Sequence, residues 1–273
     1  GRLSLYCWRG GMRSGAMAWA LELAGFEVAT LQGGYKAFRR WGREQLSEHQ
    51  NLLVVGGMTG TGKTLVLAAL ADRGEQVLDL ESLAHHRGSS YGNLGLPPQP
   101  TNEQFWNEVM WRWAGFQRQR PVWLEAESKR IGICRIPDEL FEQMEQAPLV
   151  VLRRPLPERL DILLAVYGGL ATTDLVAATQ RIHKRLGGLR TQQAVAAIQQ
   201  GQLRDALELI LGYYDRTYHY DLNHRAGWTH TLEAAGLAPD DVAERLLALA
   251  PENLRRVEEG AIAPYLLAGQ KTK

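Results

Sequence analysis

The chain has 273 residues, 45% of them hydrophobic and 22% charged; its eight Trp, nine Tyr and five Phe supply enough apolar surface to offset the entropy of ordering, which excludes a disordered chain. Two cysteines are too few for a disulfide scaffold, and with neither a signal peptide nor an apolar run of membrane-spanning length, a reducing cytoplasmic setting away from membranes is expected. The net charge of +1 is unevenly spread: residues 1–50 hold seven Lys/Arg against four Asp/Glu and residues 151–230 hold ten against seven, which permits a polyanionic partner without requiring one.

A first strand is predicted over 3–6, then a loop, a helix over 14–24 stopped by Gly25, a short strand over 27–31, a Gly33-Gly34 turn and a basic helix to about Leu46. The loop reads Cys7-Trp8-Arg9-Gly10-Gly11-Met12-Arg13-Ser14, with Cys7 and Arg13 bracketing five residues between strand and helix. Amides curled around the sulfur, the helix N-terminus and the arginines would all favour the thiolate, making Cys7 and Arg13 candidate catalytic residues. The same cradle suits an anion, whether phosphate or the terminal chalcogen of a persulfide. Cys134, in Gly132-Ile133-Cys134-Arg135, reads as structural.

A buried-strand pattern, Leu52-Leu53-Val54-Val55, opens the next segment and runs into Gly57-Met58-Thr59-Gly60-Thr61-Gly62-Lys63-Thr64 and a helix over 63–72. The octapeptide fits G-x-x-x-x-G-K-[ST] in the strand-to-helix context the motif needs. Gly57, Thr59, Gly60, Thr61 and Gly62 bring backbone amides toward phosphate oxygens, Lys63 adds a full charge, and the Thr64 hydroxyl can reach a Mg²⁺ ion. Strands over 76–80, 122–125 and 149–152 follow, and their ends supply acidic companions for the site: Asp79, Glu81, Glu125 and Glu127. Arg153 and Arg154, after the fourth strand, are placed to clamp phosphate charge. Between the second and third strands, Thr101 and Gln104 form a capping-box pattern before a helix whose Phe105, Trp106, Val109, Met110 and Trp113 share one face and read as core. His85 and His86 lack companion Cys or Asp ligands and define no metal site.

From Pro157 the sequence turns helical, with helices predicted over 157–166, 174–186, 191–200, 203–214 and 239–250 and no strand between them; the last four residues read as a frayed tail. Arg181, His183, Lys184, Arg185 and Arg190 cluster around Gly187-Gly188 as candidate phosphate or RNA contacts. The tyrosines at 213, 214, 218 and 220 read first as core, with stacking on splayed bases as the alternative. The residues alone thus predict an α/β chain in three parts: 1–48, bearing the cysteine loop; 49–156, a parallel-sheet P-loop domain; and 157–273, a helical C-terminal region. They leave open a P-loop kinase acting on RNA or a small molecule, a regulatory module without turnover and, since a Cys-x5-Arg loop of this length resembles that of Cdc25-like phosphatases, such a phosphatase tethered to a nucleotide-binding domain.

The phrases from Cys7 to Ser14 and Gly33-Gly34-Tyr35, fused to the P-loop and followed by Asp79-Leu80-Glu81, His86-Arg87-Gly88-Ser89, Glu125-Ala126-Glu127-Ser128, Ile131-Gly132, Leu186-Gly187-Gly188 and Tyr213-Tyr214-Asp215 with Tyr218, together resemble the tRNA 2-selenouridine synthase family. The resemblance implies that residues 1–48 are the C-terminal half of a rhodanese-like domain, truncated at its N-terminal side. It implies a bacterial enzyme that replaces sulfur by selenium in wobble-position 2-thiouridine, using selenophosphate, with S-geranyl-2-thiouridine made from geranyl diphosphate as the intermediate. On that reading the phosphate loop grips geranyl diphosphate, ATP is not required, and Cys7 carries selenium. The partners implied are a tRNA bearing wobble 2-thiouridine and a selenophosphate-supplying enzyme. Arg87, Arg130, Arg153, Arg154, Lys184 and Arg185 are then the candidate phosphate or tRNA contacts.

Overall fold

The computed structural model describes residues 1–222 and 228–258. Strands β1 (Arg2–Leu5) and β2 (Glu27–Thr30) pair in parallel around α1 (Met12–Leu23), and α2 (Gly34–Ser47) follows. Gly34 has φ +62°, and a Cβ there would lie 2.2 Å from both the Cys7 carbonyl oxygen and the Gly10 nitrogen. The Gly33-Gly34 turn is therefore a close backbone approach that only glycine permits, and it seats the cysteine loop.

The second unit runs β3 (Leu52–Gly57), α3 (Lys63–Asp72), β4 (Gln76–Leu78), α4 (Leu80–Leu83), α5 (Asn102–Ala114), β5 (Val122–Glu125), β6 (Arg130–Ile131), β7 (Cys134–Arg135), α6 (Asp138–Gln146) and β8 (Leu149–Arg153). After it come α7 (Leu156–Tyr167), α8 (Thr172–Arg181), α9 (His183–Leu186), α10 (Gly188–Gln199), α11 (Leu203–Leu222), β9 (Thr229–Glu233) and α12 (Pro239–Glu258). The main sheet is parallel with strand order β4-β5-β3-β8-β9, so the fold is α/β as expected. Its central strands read as unbroken apolar runs because both faces are covered. Phe105 and Met110 of α5 and Leu140 of α6 pack on one face; Val66 and Leu70 of α3 and Val242 and Leu246 of α12 pack on the other.

Strand β9 corrects the reading of an uninterrupted helical C-terminus. Its sequence, Thr-His-Thr-Leu-Glu, is that of a sheet-edge strand, in which Leu232 is buried and its Thr and Glu neighbours face out, so the apolar run that marked the other strands is missing. The helix expected over 174–186 divides at Ile182 into α8 and α9. The expected strand over 76–80 stops at Leu78, because the Asp79 side chain accepts a hydrogen bond from the Ser82 amide at 2.8 Å and starts α4. Cys134 is buried and Gln99 approaches its sulfur, in keeping with a structural role.

Helix α2 joins the two sheets. Leu46 is fully buried in the core beneath α5 and α6, Trp113 Nε1 donates to the Gln45 carbonyl at 3.0 Å, and Tyr35 Oη donates to Asn107 at 3.0 Å. Gly42 faces Met110 so closely that a Cβ would lie 2.2 Å from its sulfur and 2.9 Å from its Cβ. Gly42→Val is accordingly expected to destabilise the chain by about 1–3 kcal/mol through overpacking, read from urea unfolding; wild-type stability would mean that the α2–α5 contact is loose. Helices α7 to α11 close a core of their own around Leu160, Leu175, Ala194, Ile198, Leu207 and Ile210, to which Tyr91 and Leu94 from the segment after α4 also belong. Among the described residues, no helix is long and apolar enough to cross a membrane.

Candidate active site

The phosphate loop joins β3 to α3. Gly57 (φ +147°) and Gly60 (φ +84°) are obligatory, since a Cβ would fall 2.5 Å from Thr61 Oγ1 at the first and 2.8 Å from the Arg159 carbonyl oxygen at the second. Lys63 Nζ donates to the Gly57 carbonyl at 3.2 Å, which folds the ammonium back over the loop. Gly57, Thr59, Gly60, Gly62, Lys63 and Thr64 all line one cavity. Thr61 is the exception. It is buried, and both its amide and its hydroxyl donate to the Met58 carbonyl, at 3.1 and 2.9 Å, so it staples the loop internally and does not face the cavity.

Three carboxylates meet at the loop's edge. Glu125 at the end of β5, Glu127 two residues on, and Glu81 in α4 bring oxygens within 4.8 Å of one another. Glu125 is fully buried: Oε1 accepts the Glu81 amide at 3.1 Å, while Oε2 has no hydrogen-bond partner. Thr64 Oγ1 donates to Glu81 Oε2 at 3.3 Å, tying the cluster to the start of α3. Burial, then the negative charge of Glu81, pushes the Glu125 carboxyl well above its usual range and that of Glu127 up to about 8. Burial likewise raises Glu81, and the ammonium of Lys63 opposes all three shifts. An orphaned, fully buried carboxylate oxygen beside two further carboxylates and a hydroxyl is a hard-oxygen donor set, and these residues fit a Mg²⁺ ion. Of the acidic candidates, Glu125 and Glu127 thus belong to the site with Glu81, whereas Asp79 serves as the α4 cap and does not join the cluster. Gly88 packs on the cluster with φ +60°; a Cβ would lie 2.7 Å from Glu81 Oε1 and 2.8 Å from Glu127 Oε1.

The cavity has a volume of about 1220 Å³ and two kinds of wall. Besides the phosphate loop, its polar lining includes Glu81, Glu127, Arg87, Lys129 and Arg185, and its apolar lining includes Leu65, Phe141, Met144, Ile162, Val166 and Tyr167; Glu125 is buried and does not reach the wall. Arg87 donates to the Leu94 carbonyl at 2.8 Å and lies over the Tyr167 ring. The other basic candidates fall elsewhere. Arg153 is exposed beside Glu233, at 3.7 Å. Arg154 is nearly buried behind the loop, donating to the Thr61 and Leu237 carbonyls at 3.3 and 3.1 Å and pairing with Glu158 at 2.6 Å, so it props the loop and cannot clamp a ligand. Arg130, in the β6–β7 hairpin, and Lys184, in α9, are exposed and outside the cavity wall; His85, half-buried, and His86, buried, do not line it either. Tyr213 and Tyr214 both line the cavity while packing on the helical core; the side chains of Tyr218 and Tyr220 lie outside the described residues.

Cys7 forms a separate centre and does not line this cavity. The Gly11 amide donates to its sulfur at 3.4 Å and the Ser14 hydroxyl lies 3.4 Å away, which lowers the thiol to about 6. The causes are the Ser14 hydroxyl first, then the amides of Ser14, Gly11 and Arg9; the side chains of Arg9 and Arg13, which the sequence suggested, are exposed, and the lowering does not come from their charge. Alkylation of Cys7 by iodoacetamide is expected to rise through a midpoint near pH 6, and Ser14→Ala to move that midpoint upward, both read by mass spectrometry of the modified peptide. An unmoved midpoint in the Ser14 variant would remove the hydroxyl from the account.

Comparison with known proteins places this geometry in context. A family described as the tRNA 2-selenouridine synthase AAA domain matches residues 50–179, the stretch from the foot of β3 into α8. A tRNA 2-selenouridine synthase from Marinobacter nauticus is 35% identical over 257 residues, covering 82% of this chain and 69% of that one. One from Pseudomonas syringae pv. tomato is 37% identical over 258 residues, covering 81% of this chain and 69% of its own. Among solved structures, a Thermus thermophilus protein aligns with a TM-score of 0.39 and 16% identity, covering 76% of this chain and 99% of that one.

Proposed function

The chain belongs to the tRNA 2-selenouridine synthase family, and from that premise we propose that it exchanges sulfur for selenium in wobble-position 2-thiouridine of tRNA by way of an S-geranyl intermediate. One observation carries the reading: a single cavity joins a phosphate loop to an apolar wall, and so suits a diphosphate esterified to a hydrocarbon better than a nucleotide. Geranyl diphosphate is that kind of molecule. Its diphosphate would sit on the amides of Gly60 and Gly62 with Lys63, and its chain along Ile162, Val166 and Phe141.

In the first step the thiocarbonyl sulfur of the base attacks C1 of the geranyl group. The C–O bond breaks and diphosphate leaves with the electron pair, its growing charge held by Lys63 and the loop amides. The base N3 proton is released as the S-geranyl product forms. A Mg²⁺ ion held by Glu81, Glu125, Glu127 and Thr64 would supply further neutralisation of that charge. ATP plays no part. In the second step the selenium of selenophosphate, held at the Cys7 loop, attacks C2; the C2–S bond breaks, sulfur departs with the electron pair as geranyl thiol, a better leaving group than sulfide, and water then cleaves the P–Se bond to release phosphate and leave the selenocarbonyl. Arg87, Lys129 and Arg185 line the cavity wall, and on this reading they would meet the tRNA backbone.

Isothermal titration of the chain with geranyl diphosphate and with ATP tests the carrying observation. Geranyl diphosphate is expected to bind at least tenfold more tightly. Preference for ATP with consumption of its γ-phosphate would replace this reading with a kinase.

A further inference from the structure

The phosphate loop is held from behind by an ion pair that the proposed chemistry does not use. Arg159, in α7, is 3% exposed. Its Nε donates to the Thr59 carbonyl at 2.8 Å, its Nη2 and Nη1 make a two-pronged contact with Asp215 of α11 at 2.6 and 3.0 Å, and Nη1 also lies 3.3 Å from Met58 Sδ. Arg159 is also the residue whose carbonyl and Cβ fill the space that a Gly60 side chain would need, at 2.8 and 3.2 Å. The crest of the loop, Met58 to Gly60, therefore rests on one buried guanidinium, and the position of that guanidinium is set by a carboxylate 56 residues further along the chain.

We propose that Asp215 and Arg159 are positioning residues for the phosphate loop: the pair fixes the crest in the shape that receives a diphosphate, and couples that shape to α11. The inference deepens the proposed function and rests on its diphosphate site.

Three features of the pair favour positioning over mere cohesion or direct ligand contact. A buried ion pair gains little over apolar residues of the same volume, since desolvation consumes most of its attraction, so stability alone gives no reason for one at this place. A forked guanidinium whose two prongs are taken by a carboxylate presents its remaining N–H in a fixed direction, which a lysine could not do. With those prongs on Asp215 and Nε on Thr59, Arg159 is buried away from the cavity and does not line it, so it is not placed to contact a phosphate. The neighbouring residue adds to the coupling. Tyr214 Oη accepts the Ser90 amide at 3.1 Å, so the same turn of α11 also ties down the segment that carries Arg87 and Gly88, which line the same cavity. One helix is thereby bonded both to the residue under the crest of the loop and to the segment carrying Arg87.

The test uses inorganic pyrophosphate as the probe, with binding measured by calorimetry and thermal unfolding followed in parallel. The double substitution Arg159→Met with Asp215→Leu removes both charges together and should keep the unfolding temperature near that of the parent, while weakening pyrophosphate binding at least tenfold. Asp215→Glu keeps the charge but pushes the guanidinium back by one methylene; it is expected to weaken binding at least fivefold at an unchanged unfolding temperature, and it remains informative should the double variant fail to fold. Parental affinity in either folded variant overturns the proposal. Lys63→Ala, run beside them, separates the two levels of inference. If it loses pyrophosphate binding while the Arg159 and Asp215 variants keep it, only the positioning role falls; if it keeps binding, the diphosphate site and this inference fall together.

Discussion

Lys63→Ala is expected to lower geranyl transfer to 2-thiouridine by roughly 10²–10³-fold while leaving the fold intact. The size follows from the charge removed. A unit charge about 4 Å from a phosphate oxygen near a protein surface is worth about 4 kcal/mol, close to three decades in rate if the contact tightens as diphosphate departs. Lys63 lies on the cavity wall at the start of α3 and bonds to the Gly57 carbonyl, so its loss takes away the one full positive charge on the loop itself. It also takes from Glu81, Glu125 and Glu127 a cation that holds their carboxyls down, which weakens the donor set available to Mg²⁺. Stability should not follow activity, because the cluster can take up protons in place of its lost counter-charge. The measurement is nucleoside mass spectrometry of tRNA incubated with geranyl diphosphate and enzyme, with thermal unfolding as the control. A folded Lys63→Ala protein that makes S-geranyl-2-thiouridine at the parental rate would remove the phosphate loop from the chemistry.

What the sequence disclosed and what it withheld divide along chain distance. The phosphate loop was legible because its chemistry lies in eight consecutive residues whose flanking strand and helix are also legible. Glu125 was legible for a similar reason: it ends an apolar strand, and in a parallel sheet that end meets the loop of the neighbouring strand, here β3. Asp79 was misread because strand propensity carries on through Leu80, whereas the local bond from the Ser82 amide to its carboxylate ends β4 early. Arg153 and Arg154 share one sequence position in effect but not one fate. Alternation along β8 sends the first to solvent and leaves the second to turn inward under the loop, and no motif distinguishes them. Arg159 gave no signal at all. Its partners, Thr59 and Asp215, are 100 and 56 residues away, and only the packing of α7 between the loop and α11 brings the three together. Gly88 could have been found, since a glycine inside a charged phrase suggests a backbone passing close to something; what it passes, two carboxylates from different elements, required the fold.

Cys7→Ala is expected to separate the two half-reactions, leaving geranylation within about twofold of the parent and lowering selenation by roughly 10³-fold, as loss of the group that holds and orients the selenium donor does. The structural ground is that the centres are distinct. Cys7 is seated by the Gly33-Gly34 turn in the small sheet, its thiolate stabilised by Ser14 and the loop amides, and it contributes nothing to the wall of the cavity where the diphosphate would bind. What joins them is α2, whose Tyr35 bonds to Asn107 of α5 and whose Leu46 enters the core under the main sheet, so the cysteine loop is carried on the same rigid framework as the phosphate loop. In such an arrangement the modified base is expected to pass from one centre to the other, and an S-geranyl tRNA released from the first should accumulate when the second is disabled. Nucleoside mass spectrometry with both geranyl diphosphate and selenophosphate present reads the two products from one sample. A build-up of S-geranyl-2-thiouridine at the expense of 2-selenouridine is the expected pattern, and Ser14→Ala should give a milder form of it by raising the thiol. Equal loss of both products in Cys7→Ala would mean that the cysteine serves the alkylation as well, and that the division of labour between the two sheets is wrong.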